Sequence, residues 1–97
     1  FARSALLAEQ SAARMDAAFL ARREFSVMEA GLEHGAFPTV SEPSVRVNDV
    51  TYVLRADVVQ QGDFYDVTLH LSWRILAYAE TADYVRRMKR YDTQTAP

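Results

Sequence analysis

The chain has 97 residues and no cysteine, which removes disulfide staples, thiolate zinc sites and thiol nucleophiles together. It has only two histidines, His34 and His70. One sits among loop formers and the other on the polar side of a strand pattern, with no His-x-x-x-His spacing, so no metal site is expected. Asn48-Asp49 and Asp63/Asp66 are too sparse for a calcium loop and read as turn chemistry. Glycine and proline occur three times each. Gly31, Gly35 and Gly62 are spaced for neither a dinucleotide-binding nor a phosphate-binding loop, and there is no Gly-x-Ser-x-Gly elbow. No run approaches the roughly 20 apolar residues of a membrane span. Thirteen acidic against eleven basic residues give a net charge of −2, which is not the field of a general nucleic-acid binder. The cluster Arg86, Arg87, Lys89 and Arg90, with Tyr84 and Tyr91 beside it, is bracketed by Asp83 and Asp92 and reads as a solvated charged face. No catalytic residue, cofactor, small-molecule substrate or nucleic-acid partner is therefore expected. The pattern is that of a non-enzyme.

What is present is a chain 49% hydrophobic and 25% charged, enough for one globular domain over residues 1–97 with a thin core. Residues 2–30 predict one long helix, dense in alanine and uninterrupted by glycine or proline. Leu6, Ala13, Leu20 and Val27 recur every seven residues. Ala5, Ala12 and Phe19 lie beside them, and Ala8 and Met15 widen the stripe. Gln10, Arg14, Asp16 and Glu24 fall opposite, with Arg3 and Arg22 near the edges. Gly31 is the expected stop. The first half of this helix offers small side chains. The second offers Phe19, Leu20, Phe25, Val27 and Met28, enough to anchor a core. The alanines either fill a tight place in that core or leave the first half projecting toward other chains.

Residues 31–43 predict a loop, and after them the period changes to two. Val45 and Val47, then a strand from Val50 to about Val59, are separated by a tight turn at Asn48-Asp49. Gln60-Gln61-Gly62-Asp63 turns into a third strand with Tyr65, Val67, Leu69, Leu71 and Trp73 on one side and Asp66, Thr68, His70 and Ser72 on the other. That alternation predicts an antiparallel sheet with one face covered and one exposed. Residues 75–91 fit two readings. Ile75, Ala79, Ala82, Val85 and Met88 share a helical face. Alternatively, a strand to about Ala79, a turn through Glu80–Asp83 and a last strand Tyr84–Tyr91 complete a meander, which is the preferred reading. Residues 92–97 are expected to fray. The predicted class is α+β: a long N-terminal helix on an antiparallel sheet of three to four strands.

The helix segment Ala17-Ala18-Phe19-Leu20-Ala21, its ending Glu29-Ala30-Gly31 and the strand Leu69-His70-Leu71-Ser72-Trp73 together have a familiar layout. The chain resembles the soluble part of type IV pilin-like proteins, most closely the I-type minor pseudopilins of type II secretion systems. The likeness covers most of its length. It implies a pilin-like fold and a structural role in assembling a pseudopilus tip. It also implies a globular part in the periplasm and attachment to the bacterial inner membrane through a hydrophobic helix ahead of Phe1. The first residue, without an initiator Met or a capping residue, fits removal of such a segment. The partners implied are other minor pseudopilins, packed against the helix face Ala5, Leu6, Ala8, Ala12, Ala13, Met15 and Phe19, where small side chains permit close approach. A minor pilin of a type IV pilus shares the outline, and an unrelated α+β protein-binding or dimerisation module is the remaining reading.

Overall fold

A computed structural model describes residues 2–91, with side chains from Ala5 onward. Residues 92–97, expected to fray, and Phe1 lie outside the described residues, as do the side chains of residues 2–4. The element order is α1 (Ala2–Leu32), β1 (Ser44–Val47), β2 (Val50–Gln61), β3 (Phe64–Ile75) and β4 (Tyr78–Lys89). The four strands form one antiparallel sheet in sequence order, with α1 packed on one face. This is the α+β plan read from the sequence. The preferred hairpin reading of residues 75–91 also holds.

The boundaries shift for identifiable reasons. The helix does not stop at Gly31; it continues to Leu32, and Gly35 supplies the left-handed residue at φ 82°. The Ala36 N–H donates to the Gly31 carbonyl and the Gly35 N–H to the Leu32 carbonyl, both at 3.0 Å. That pair of bonds is the Schellman ending, which needs its left-handed residue one turn beyond the last helical carbonyls. At the other end of the chain, the last turn is Leu76-Ala77, not Glu80–Asp83. Closing there lets all twelve residues of β3 pair with β4, from Phe64 opposite Lys89 to Ile75 opposite Tyr78, a larger gain than placing polar residues in the turn. The other two turns stand where the residues put them: Asn48 and Asp49 both take positive φ (50° and 65°), as a type I′ turn requires, and Gly62 takes 59°. β2 runs to Gln61, two residues beyond its expected end.

The seven-residue spacing misplaces part of the helix. A straight α-helix drifts about 20° per heptad, so Leu6, Ala13 and Leu20 stay over the sheet while Val27 rotates out and is 47% exposed. The buried line steps by three and four instead: Ala13, Ala17, Leu20, Glu24, Met28 and Leu32, flanked by Ala21 and Phe25. These meet Tyr52 and Leu54 of β2, Val67, Leu69, Leu71, Trp73 and Ile75 of β3, and Met88 of β4.

Glu24, expected on the polar face, is buried in that line. Its carboxylate is satisfied by the loop. Ser41 donates its backbone N–H to Oε1 at 2.9 Å and its hydroxyl to Oε2 at 2.6 Å. A buried carboxylate is tolerated only when bonded in this way, and here it fastens the 33–43 loop to the helix before β1 begins.

Candidate functional site

The surface proposed from the sequence divides in two. Ala5, Ala8 and Ala12 are exposed, as are Met15 at 72% and Phe19 at 58%. Their spacing of three, four, three and four places them on one stripe of α1, pointing away from the sheet. Leu6 is half-buried and packs on the core, while Ala13 is buried. Those two belong to the sheet-facing side, because a face seven residues wide by sequence count wraps around too much of the helix to point one way. Of the seven residues proposed, five form the outward stripe. It ends at Phe19; the next positions along it, Arg22 and Ser26, are polar. The helix is therefore apolar on two opposite sides over its first half and on one side thereafter.

The same half of the helix is the part least held by the sheet. Among the described side chains of α1, the buried ones begin at Ala13. What fixes this end is the Tyr52 hydroxyl, which donates to the Ala13 carbonyl at 3.0 Å. Burial, with the nearby Asp16 carboxylate adding, pushes the Tyr52 pKa up to about 12, so it remains a donor throughout the ordinary pH range. Beside it, Arg14 lies over the Trp73 ring at 5.7 Å and pairs with Glu80 at 2.8 Å. Asn48 donates its side-chain amide to Asp16 at 3.1 Å.

Where the helix leaves the sheet, a groove of about 390 Å³ opens between Ala12 and Asp16 of α1, the Asn48-Asp49 turn and the Leu76 turn. Ala12 therefore belongs both to the outward stripe and to the groove wall. Leu76 is 75% exposed with φ 54°, a left-handed conformation that costs a branched side chain roughly 1–2 kcal/mol. Nothing in the sequence pattern marks that leucine; hairpin signals favour Gly or Asn at such a position.

The two histidines are not brought together. His34 lies in the turn after α1, whereas His70 sits on the uncovered face of β3 between two carboxylates. Its Nδ1 is 2.7 Å from Asp83 Oδ1 and its Nε2 is 2.7 Å from Asp57 Oδ2. Hydrogen bonding to Asp83, then to Asp57, raises the imidazole pKa above 6.5, and the His70 bond in turn lowers that of Asp57. Arg55 completes the cluster on Asp57 at 3.0 Å. Among the described residues no group of three metal-ligating side chains is found. The basic run of β4 is split between the faces of the sheet. Arg86 turns inward to Glu29 at 2.9 Å and over the Phe25 ring, while Arg87 turns outward and holds Asp66 through two bonds.

No protein-family model matches the chain, and neither the curated proteins nor the solved structures contain a match. No described helix is long and apolar enough to cross a membrane.

Proposed function

We propose that the chain is a structural assembly subunit of the pilin-like kind, a minor pseudopilin of a type II secretion pseudopilus tip. It binds sister subunits through the outward stripe of its N-terminal helix. The observation that supports this reading is the stripe Ala5, Ala8, Ala12, Met15 and Phe19, apolar and exposed on the part of α1 that the sheet holds least. Small residues bring helix backbones close together, and the larger Met15 and Phe19 supply the area that such a contact buries. The function is mechanical: the sheet orients the helix, and the helix meets its neighbours. Inner-membrane attachment and a periplasmic domain go with that role.

The test uses purified soluble domains of minor pseudopilins as partners. Ala12→Trp and Met15→Lys, both at exposed positions, are expected to leave the thermal transition within a few degrees of the parent and to weaken binding at least tenfold, read by calorimetry or surface capture. Binding that is unchanged by both substitutions would count against the helix stripe as the contact.

A further inference from the structure

β4 is an edge strand of twelve residues, and among the described residues no backbone group bonds to its outer side. Long bare edges are ordinarily blunted by proline, a bulge or a like-charged row. This one has no proline or bulge, and its register against β3 is unbroken. Its charges are of both signs and segregated: Glu80 and Asp83 in the first half, Arg86, Arg87 and Lys89 in the second, with Arg90 directly after its end. Between them Val85 points to the uncovered face and is 70% exposed.

We infer that β4 pairs with β4 of a second copy of this chain, antiparallel and about a two-fold axis at Val85, to give a continuous eight-stranded sheet. Two constraints select that register. Directly opposed residues in an antiparallel pair must lie on the same face, and a two-fold pairing opposes residue i to residue j and j to i. With Val85 opposite the partner's Val85, Asp83 meets the partner's Arg87 on the uncovered face, and Thr81 meets the partner's Lys89. On the helix-covered face Glu80 meets the partner's Arg90 and Tyr84 meets the partner's Arg86. Every directly opposed charge pair is then of opposite sign and occurs twice. Shifting the axis to Arg86 sets two arginines against each other, and shifting it to Tyr84 sets Asp83 against Val85 and Arg87 against Thr81. A parallel pairing aligns like charges along the whole strand.

The groups that would meet have capacity to spare. Asp83 uses Oδ1 on His70, and Arg87 uses Nε and Nη2 on Asp66. That leaves the second carboxylate oxygen of Asp83 and the Nη1 of Arg87 for the partner. The mixed sign also explains the edge itself: a strand patterned to repel all others would carry one charge, whereas this pattern excludes most strands and accepts its own reverse. The inference stands apart from the helix stripe, which lies on a different element and faces away from the sheet.

Sedimentation equilibrium and light scattering on the purified chain, from about 5 to 500 μM at low salt, test it. A mass approaching twice 11.0 kDa is expected at the upper concentrations and a lower one in 1 M salt. Asp83→Arg alone and Val85→Lys alone are expected to weaken dimerisation roughly tenfold or more, since each change acts twice across the axis. The double reversal Asp83→Arg with Arg87→Asp restores opposite signs and is expected to recover the dimer, which a merely structural defect at position 83 would not. Circular dichroism verifies that each variant is folded. A monomer throughout the range, or a dimer indifferent to these changes and lost instead in Met15→Lys, would overturn the inference; that second outcome would leave the helix-stripe proposal standing.

Discussion

Two glycines four residues apart have opposite duties, and substitution separates them. Gly31 lies inside the helix, and a Cβ placed on it would meet the Ala36 Cβ at 3.5 Å, an ordinary contact. Gly31→Ala is therefore expected to stabilise the fold by about 0.5 kcal/mol, because alanine loses less backbone entropy in a helix. Gly35 holds φ 82°, and Gly35→Ala is expected to cost about 1 kcal/mol. Urea unfolding of the two variants measures the difference; the reverse order would mean that Gly31 ends the helix. His70 gives a second residue-scale expectation. Its folded pKa lies above 6.5 because Asp83 and Asp57 hold the protonated ring. The stability it contributes is thus fully present below pH 6.5 and is lost as the pH rises through the higher folded value. Asp57, whose pKa is lowered, contributes above its unfolded value near 3.8 and loses that contribution as the pH falls through its folded value. The thermal midpoint should accordingly decline on the alkaline side of pH 6.5 in the parent and decline less in His70→Gln. An NMR titration of the ring with a midpoint at or below 6.5 would remove the basis for this.

At the scale of elements, the sequence was legible wherever one physical requirement dominated. β3 alternates from Tyr65 to Ile75 because one side must be apolar, and Asn48-Asp49 turns because both residues tolerate positive φ. The helix was legible as a helix, but its facing was not. Alanine is compatible with burial and with exposure, so a stripe of alanines beside leucines carries no direction. Glu24 was misplaced for a related reason: its burial depends on Ser41, seventeen residues away, and no local pattern announces a bond of that separation. The Leu76 turn was missed because strand pairing, not turn chemistry, fixes its position. The outward stripe makes its own prediction. Among the described side chains of α1 the buried ones begin at Ala13, with Leu6 the half-buried apolar contact before it. Removing the first twelve residues is therefore expected to cost about 1 kcal/mol, the partial burial of one leucine, or roughly 5 °C in the thermal midpoint. A loss three times larger would place that segment in the core and turn the alanines into packing residues.

On the scale of the whole molecule, one helix lies on one sheet within dimensions of 65 × 21 × 15 Å. A body so slender has a single region where helix and sheet both lie within the apolar interior. That region is the middle of β2 and β3 beneath residues 13–28. Tyr52, Val67, Leu69 and Leu71 are all but completely buried there, and β3 is paired on both sides. Away from that centre the helix and the edge strands β1 and β4 are supported from one direction only, and local opening there costs less than global unfolding. Amide hydrogen exchange should grade accordingly. The amides of Val67–Leu71 are expected to exchange only with global unfolding, those of residues 17–28 nearly as slowly, and those of residues 5–12 at least tenfold faster through fraying of α1. The gradient matters for the proposed role. A helix end that is formed but weakly held can adjust its angle to a neighbour without breaking the domain, and docking should then slow exchange over residues 5–19 far more than over β3. Protection of residues 5–12 equal to that of 17–28 in the isolated chain would show the helix to be one rigid unit with the sheet. Adjustment would then have to come from the partner.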